Sequence, residues 1–350
     1  MENTKKKSLA GLVLRYAVPL VVSVGLCWLL FHDFDFRTML ALVREECRWW
    51  WVAAGMCVTV GAHFFRALRW RLQLRALGME PSLFHLLLSV FGTYAVNLVF
   101  PRLGEVWRSG YVARRENARF TTVFGSMVAD RLADTLSVFL LLLLAVCVAG
   151  RTVVEYLGQN GDTYARIGDL LLSPWLWGAV LILAALSWWL LGRPTRIGWI
   201  RRIQGIVREL WQGFAVVLRM PRRGLWLLYT LGIWGCFFLA TLVEFFCFDF
   251  TASVVRDYGL TAVLVTFVLS SVSMAVPSNG GIGPWQWAVI FALSVYALPT
   301  VQSAAFANLI MAATTLVNIV LGIFTFAVIA LDRRRAAKDP HITQHSNTES

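Results

Sequence analysis

Apolar residues fall in long blocks separated by short, arginine-rich polar stretches. Six blocks are uninterrupted: 12–31, 49–65, 122–149, 174–191, 225–246 and 302–331. Each approaches or exceeds the ~20 residues that a helix needs to cross a bilayer core. Two more, 83–113 and 260–298, are broken by turn formers. The first break is Pro101-Arg102-Leu103-Gly104-Glu105; the second is Pro277-Ser278-Asn279-Gly280-Gly281-Ile282-Gly283-Pro284. Alternating ten-residue segments of the kind that build a membrane barrel are absent. The pattern predicts an all-α, polytopic helical membrane protein with eight hydrophobic elements.

The basic residues then choose the topology, because cytoplasmic loops are enriched in Lys and Arg. With the N-terminus inside, segment 66–82, carrying Arg66, Arg69, Arg71 and Arg75, is also inside. If 83–100 crossed fully, Arg102, Arg108, Arg114, Arg115 and Arg119 would lie outside and every later loop would invert. A second crossing by 104–113 would restore parity, but ten helical residues reach only ~15 Å. A re-entrant hairpin, entering and leaving on the inner side, fits best. It places 25 of the 32 Lys and Arg inside and six outside, with Arg131 within a span. Block 260–298 starts and ends outside; its limbs are short for full spans, and a hairpin dipping from the outer side is expected.

The result is six spans plus two re-entrant hairpins in an inverted repeat. Residues 1–331 form one membrane domain, with 1–149 and 174–331 as its halves. Each half has three crossings, so the second is upside down, an architecture known from transporters. Segment 193–223 reads as a basic amphipathic helix on the inner leaflet, and 332–350 as a disordered cytoplasmic tail.

Composition agrees: hydrophobic residues make up 58% of the chain and charged residues 15%. The net charge of +12 is explained by topology, so a nucleic-acid partner is not expected. The first apolar block ends in Cys27-Trp28-Leu29-Leu30-Phe31, without a small-residue cleavage site, and reads as a retained anchor. The chain is thus expected in the cell membrane with both termini cytoplasmic; a homo-oligomer is compatible with this. Six cysteines show no metal-type spacing, although Cys47 and Cys247 fall at the same outer face, where a disulfide is conceivable. The five histidines show no ligand spacing, and no metal or cofactor is expected.

Four constellations carry candidate chemistry. Charge inside a membrane is costly and by default functional. Arg102, Glu105 and Arg108 sit at the first turn, with Pro101 and Gly104 as helix breaker and flexible point; Glu105 and Arg108 can pair along a helix face. Asp130 and Asp134 share a face at i, i+4, with Arg131 between them, and the hairpin arginines are their expected partners. Glu244 stands alone near the outer end of its span. At the second turn, Pro277, Gly280, Gly281, Gly283 and Pro284 free backbone groups at membrane depth, which is tolerated only in protein or beside water. Asn279 and Gln286 are the polar residues there. For each constellation a purely structural role competes with substrate binding.

Several of these pieces resemble the lysylphosphatidylglycerol synthase transmembrane-region, or flippase-like, family. They are Arg66-Ala67-Leu68-Arg69-Trp70, Asn97 through Pro101, Gly104-Glu105 with Arg108, Asp130-Arg131-Leu132 with Asp134, and 277–283. The resemblance implies a membrane domain that moves lipids between leaflets. Bifunctional members add a cytoplasmic aminoacyl-transfer domain, for which the 19 residues after Leu331 leave no room. Some archaeal relatives are linked to dolichol-phosphate sugars, so anionic and polyprenyl-linked lipids are both expected partners. The second turn reads Pro-Ser-Asn-Gly-Gly where the family suggests a Pro-Gly-Gly core. A lipid translocase is the expected function. The alternatives are a membrane-embedded enzyme transferring a group onto a phospholipid or polyprenyl-phosphate lipid, and a non-transporting scaffold.

Overall fold

The computed structural model describes residues 36–159 and 222–338 apart from Pro277 and Asn279, together with Trp175 and Gly178. The blocks 12–31 and 174–191 and the segment 193–223 lie outside these residues. The described elements are all helical: α1 (Phe36–Glu46), α2 (Trp49–Ala76), α3 (Leu83–Val99), α4 (Gly104–Arg115), α5 (Phe120–Gln159), α6 (Arg223–Glu244), a 3-10 turn (Phe245–Cys247), α7 (Asp249–Tyr258), α8 (Leu260–Ser273), α9 (Pro284–Ser294) and α10 (Thr300–Lys338). Among the described residues, four stretches are long and apolar enough to cross a membrane: Trp49–Ala76, Phe120–Val153, Arg223–Cys247 and Thr300–Asp332. Helices α7 and α8, bent by 113° at Gly259, would make a fifth if taken as one broken span. The outward faces of α5 and α10 carry Leu136, Phe139, Leu140, Leu316, Ile323 and Phe324 exposed. Such contiguous apolar surface belongs in lipid.

Each break has a local cause. Ser82 caps α3, its hydroxyl accepting from the His85 backbone N–H. Pro101 disfavours helical geometry at Phe100, which is extended at φ −125° and ends α3. Arg102 then takes φ 61°, reversing the chain into α4. Gly104 is needed for close approach rather than for flexibility: its amide donates to Asn97 Oδ1 at 2.8 Å, and an added Cβ would strike the Thr93 carbonyl. In the second break Gly283, at φ 94°, delivers Pro284 to the first position of α9, where its missing N–H is harmless.

Helices α2 and α6 lie antiparallel along their length, with Phe65 against Gly232 and Gly61 near Cys236. Helix α3 packs on α10, and α8 on α5; α4 packs on α5, and α9 on α10. The hairpin α3–α4 starts and finishes at one end of the bundle, where His85 and Arg115 each approach Asp332 at 3.7 Å. The hairpin α8–α9 starts and finishes near Tyr258 and Tyr296, whose rings are 5.0 Å apart, and the Tyr156 hydroxyl donates to Ser294. The two turns meet: Arg102 donates to the Ala275 carbonyl at 2.8 Å, and Leu98 packs on Gly280.

Three features differ from the sequence reading. Helix α2 does not stop at residue 65 but continues to Ala76, taking Arg66 and Arg69 into the interior. Amphipathic α1 and α7 occupy stretches read only as outer loops. Helix α10 continues to Lys338, into the first residues of the expected tail.

Candidate functional site

Three elements bring charge together near the first turn. The far part of α2 supplies Arg66 and Arg69, α4 supplies Glu105 and Arg108, and α5 supplies Asp130, Arg131 and Asp134. On α2, the i, i+3 spacing of Arg66 and Arg69 points both toward α5; on α5, the i, i+4 spacing of Asp130 and Asp134 presents both carboxylates to α2. Arg69 Nε donates to Asp130 Oδ1 at 2.9 Å, and its Nη2 to Asp134 Oδ1 at 2.7 Å. Arg66 donates to Asp134 Oδ2 at 2.7 Å. Both arginines and Asp130 are sealed from solvent, and Asp134 nearly so. Helix α6 closes the other side, with Thr230 at 3.4 Å from Arg69 and the Trp226 ring 5.6 Å from its guanidinium.

A second layer lies toward the turn. Arg131 donates to Glu105 Oε1 at 2.6 Å, and the Asn97 amide approaches Glu105 Oε2 at 3.4 Å. Arg108 is 1% exposed, with its guanidinium 4.0 Å above the Trp70 ring. Trp70 is itself fixed by an N–H donated to Ser126 at 3.1 Å. Among the described residues of the network, Arg66 Nε, Arg131 Nε, Asp130 Oδ2 and the Nε and Nη2 of Arg108 have no hydrogen-bond partner, and the remaining Arg108 nitrogen, Nη1, reaches only the Met127 sulfur at 3.7 Å. The four arginines Arg66, Arg69, Arg108 and Arg131 face three carboxylates, Glu105, Asp130 and Asp134. The cluster therefore carries one net positive charge, and Arg108 is the cation left over.

The sequence-based pairings are thus redistributed. Asp130 and Asp134 pair chiefly with Arg66 and Arg69, not with the hairpin arginines. Glu105 pairs with Arg131 rather than Arg108, and Arg131 reaches Asp134 only at 3.7 Å. Arg102 faces away, toward Ala275. The residues missed as functional were Arg66, Arg69 and Trp70, read as topology markers and a family match. The signal was available: two carboxylates one turn apart in a span need cations one turn apart on a neighbour.

The remaining candidates lie elsewhere. Gln286 accepts from the Gly283 amide at 2.7 Å, capping α9, and donates to Asn308 at 3.2 Å. It borders a shallow cleft of about 430 Å3 between α9 and α10, lined also by Ile282, Asn308, Met311 and Thr315. Pro277 and Asn279 lie outside the described residues. Glu244 is buried against Gly55 of α2, remote from the network. Cys47 and Cys247 are free thiols, although the Arg48 amide donates to the Cys247 carbonyl at 2.8 Å.

Apolar spans built around a buried ionic network define a polytopic helical membrane protein. The chain belongs to the lysylphosphatidylglycerol synthase TM region family, whose model matches residues 16–322. Membership relates it to lipid modification or translocation. No curated protein and no solved structure matches it.

Proposed function

We propose that this protein is a lipid translocase that moves an anionic or polyprenyl-linked phospholipid between leaflets of the cell membrane. The observation that carries the reading is Arg108: a buried guanidinium with two unpartnered donors, in a cluster with one surplus positive charge. Burying a cation without its counter-charge is expensive. A phosphate oxygen is the partner whose geometry suits a guanidinium fork. Trp70 holds the cation in the absence of that partner; such contacts are worth ~2 kcal/mol when desolvated. Around Arg108, the Arg66–Arg69–Asp130–Asp134 lattice provides a rigid frame, and Glu105 with Arg131 is the softer, partly exposed gate.

The two hairpins complete the proposal. With both termini cytoplasmic, α3–α4 dips from the inner side and α8–α9 from the outer side, their turns touching near mid-membrane. Halves 1–149 and 174–331 are then inverted repeats, in which α2, α3–α4 and α5 correspond to α6, α8–α9 and α10. The amide-lined cleft at Gln286 is the counterpart of the charged site in the second half. A headgroup leaves lipid, crosses between the turns and emerges in the other leaflet while its tails stay in hydrocarbon. The rival group-transfer enzyme draws on one observation, the free Asp130 Oδ2. That carboxylate is held by Arg69 through its other oxygen, a poor arrangement for a base.

Reconstituted vesicles containing head-labelled anionic phospholipid test the reading. The protein should accelerate leaflet exchange, Arg108→Gln should abolish the gain, and Arg108→Lys should retain part of it at unchanged melting temperature. Equal exchange in empty and protein-loaded vesicles would reject translocation. A lipid species missing from cells that lack the protein, with sidedness intact, would favour the enzyme.

A further inference from the structure

One buried carboxyl group stands apart from the arginine network. Glu244 ends α6, immediately before the 3-10 turn Phe245–Cys247, and is 6% exposed. It makes no hydrogen bond or ion pair with any described residue. Its side chain rests in a notch on α2, where Gly55 replaces a side chain. A Cβ at that position would lie 2.6 Å from Glu244 Cγ and 3.0 Å from Oε1. The surroundings are apolar: Val52, Met56, Phe245 and Phe248 belong to the large outer cluster.

Among the described residues, the neighbours that titrate or carry charge do not neutralise it. On α2 the next such group on this face is His63, ~12 Å along the helix. Helix α8 contributes none. The adjoining turn offers only the thiol of Cys247, and the link between α1 and α2 that of Cys47. Arg48 is bound to Asp249 at 2.7 Å, and Arg151 on α5 to Glu155 at 2.9 Å. Arg44, Glu45 and Glu46 of α1 are exposed. The phenols of Tyr156, Tyr258 and Tyr296 lie around the α8–α9 ends.

We infer that Glu244 is a proton-binding site, and that taking up and releasing this proton couples the packing of α6 on α2 to the state of the arginine network. A lone carboxylate in such surroundings is penalised far more than the neutral acid. The notch at Gly55 therefore accepts the protonated side chain, and ionisation drives it out toward water. The same helix pair carries the consequence onward: Glu244 meets Gly55 at one end, and Thr230 and Trp226 meet Arg69 at the other. The two sites are ~16 to 21 Å apart along α2. A shift of α6 against α2 changes the contacts of both. The coupling to transport rests on the translocase reading; the proton site itself does not.

Two measurements separate these parts. The first uses the full-length protein in lipid nanodiscs treated with a carbodiimide, which reacts with protonated carboxyls in apolar surroundings: the acid proton moves to nitrogen while the carboxyl oxygen attacks the central carbon. Peptide mass spectrometry should locate the adduct on Glu244 and not on ion-paired Glu105. The infrared band of a protonated carboxyl should be present in the wild type and missing in Glu244→Gln. Absence of the adduct, or superimposable spectra, would overturn the site. The second measurement imposes a pH gradient on flipping vesicles. Wild-type exchange should change by up to about tenfold per pH unit, the ratio for one proton, and Glu244→Gln should exchange lipid without that dependence. Flipping indifferent to the gradient would sink the coupling alone, and no flipping at all would sink the translocase reading while leaving the adduct result standing.

Discussion

At the scale of single residues, the ionic lattice behaves as a unit because none of its members is solvated. Asp134 accepts from both Arg66 and Arg69. Asp134→Asn should therefore leave Arg66 without a carboxylate and Arg69 with Asp130 alone, at a cost of ~3–5 kcal/mol, the range for breaking one partner of a buried pair. Thermal unfolding in detergent checks this, and Arg66→Met in the same chain should restore part of the loss. If Asp134→Asn melts like wild type, the lattice is more hydrated than the geometry indicates. Arg108 should behave oppositely: its removal relieves an unpartnered charge, so stability should hold while lipid exchange fails. Loss of function without loss of stability distinguishes a binding residue from a structural one.

At the scale of elements, the first hairpin depends on how closely its limbs approach. The Gly104 amide and the Asn97 side chain tie α4 to α3, and the glycine lies against the Thr93 carbonyl. Gly104→Ala places a methyl group against backbone that cannot move. It should open the hairpin and cost ~1–3 kcal/mol, as overpacking does, with a lower melting temperature and proteolysis at the turn as readouts. Gly55→Ala makes the parallel case on α2. Its methyl would fill the notch beneath Glu244 and push the carboxyl out toward water, so carbodiimide labelling of Glu244 should fall while α2–α6 packing weakens. Unchanged labelling would mean that the notch does not confine the carboxyl.

At the scale of the whole molecule, the contact between the two turns is where motion must occur if lipid passes. Arg102 and Ala275 come from opposite hairpins and are joined by a single hydrogen bond, a contact easily broken and remade. A cysteine pair made by Arg102→Cys and Ala275→Cys, joined by a short bifunctional reagent, should stop leaflet exchange, and cleaving the linker should restore it. Exchange at full rate through the joined turns would move the path elsewhere. Sided labelling addresses the orientation: cysteines replacing Gly104 or Glu105 should react from the cytoplasmic side, and reaction from the exterior alone would invert the proposed topology.

Much of the architecture was legible in the linear pattern. Blocks of apolar residues with proline and glycine interruptions locate the described membrane helices and both breaks, because hydropathy and backbone restriction are local properties, but α2 and α5 run on past residues 65 and 149 to Ala76 and Gln159. The candidate charges were also identifiable, since an ionisable residue in an apolar run stands out without any structure. Their partners were not. Arg66 and Arg69 look like loop residues in sequence, and only the packing of α2 on α5 shows the helix continuing with its cations buried against Asp130 and Asp134. That Arg108 is left without a carboxylate, and Glu244 without a cation, is likewise a result of three-dimensional neighbourhood. Periodicity and composition determine which segments leave water; the choice of counter-charge depends on distances of a few ångströms between segments about sixty residues apart, which only the assembled bundle sets.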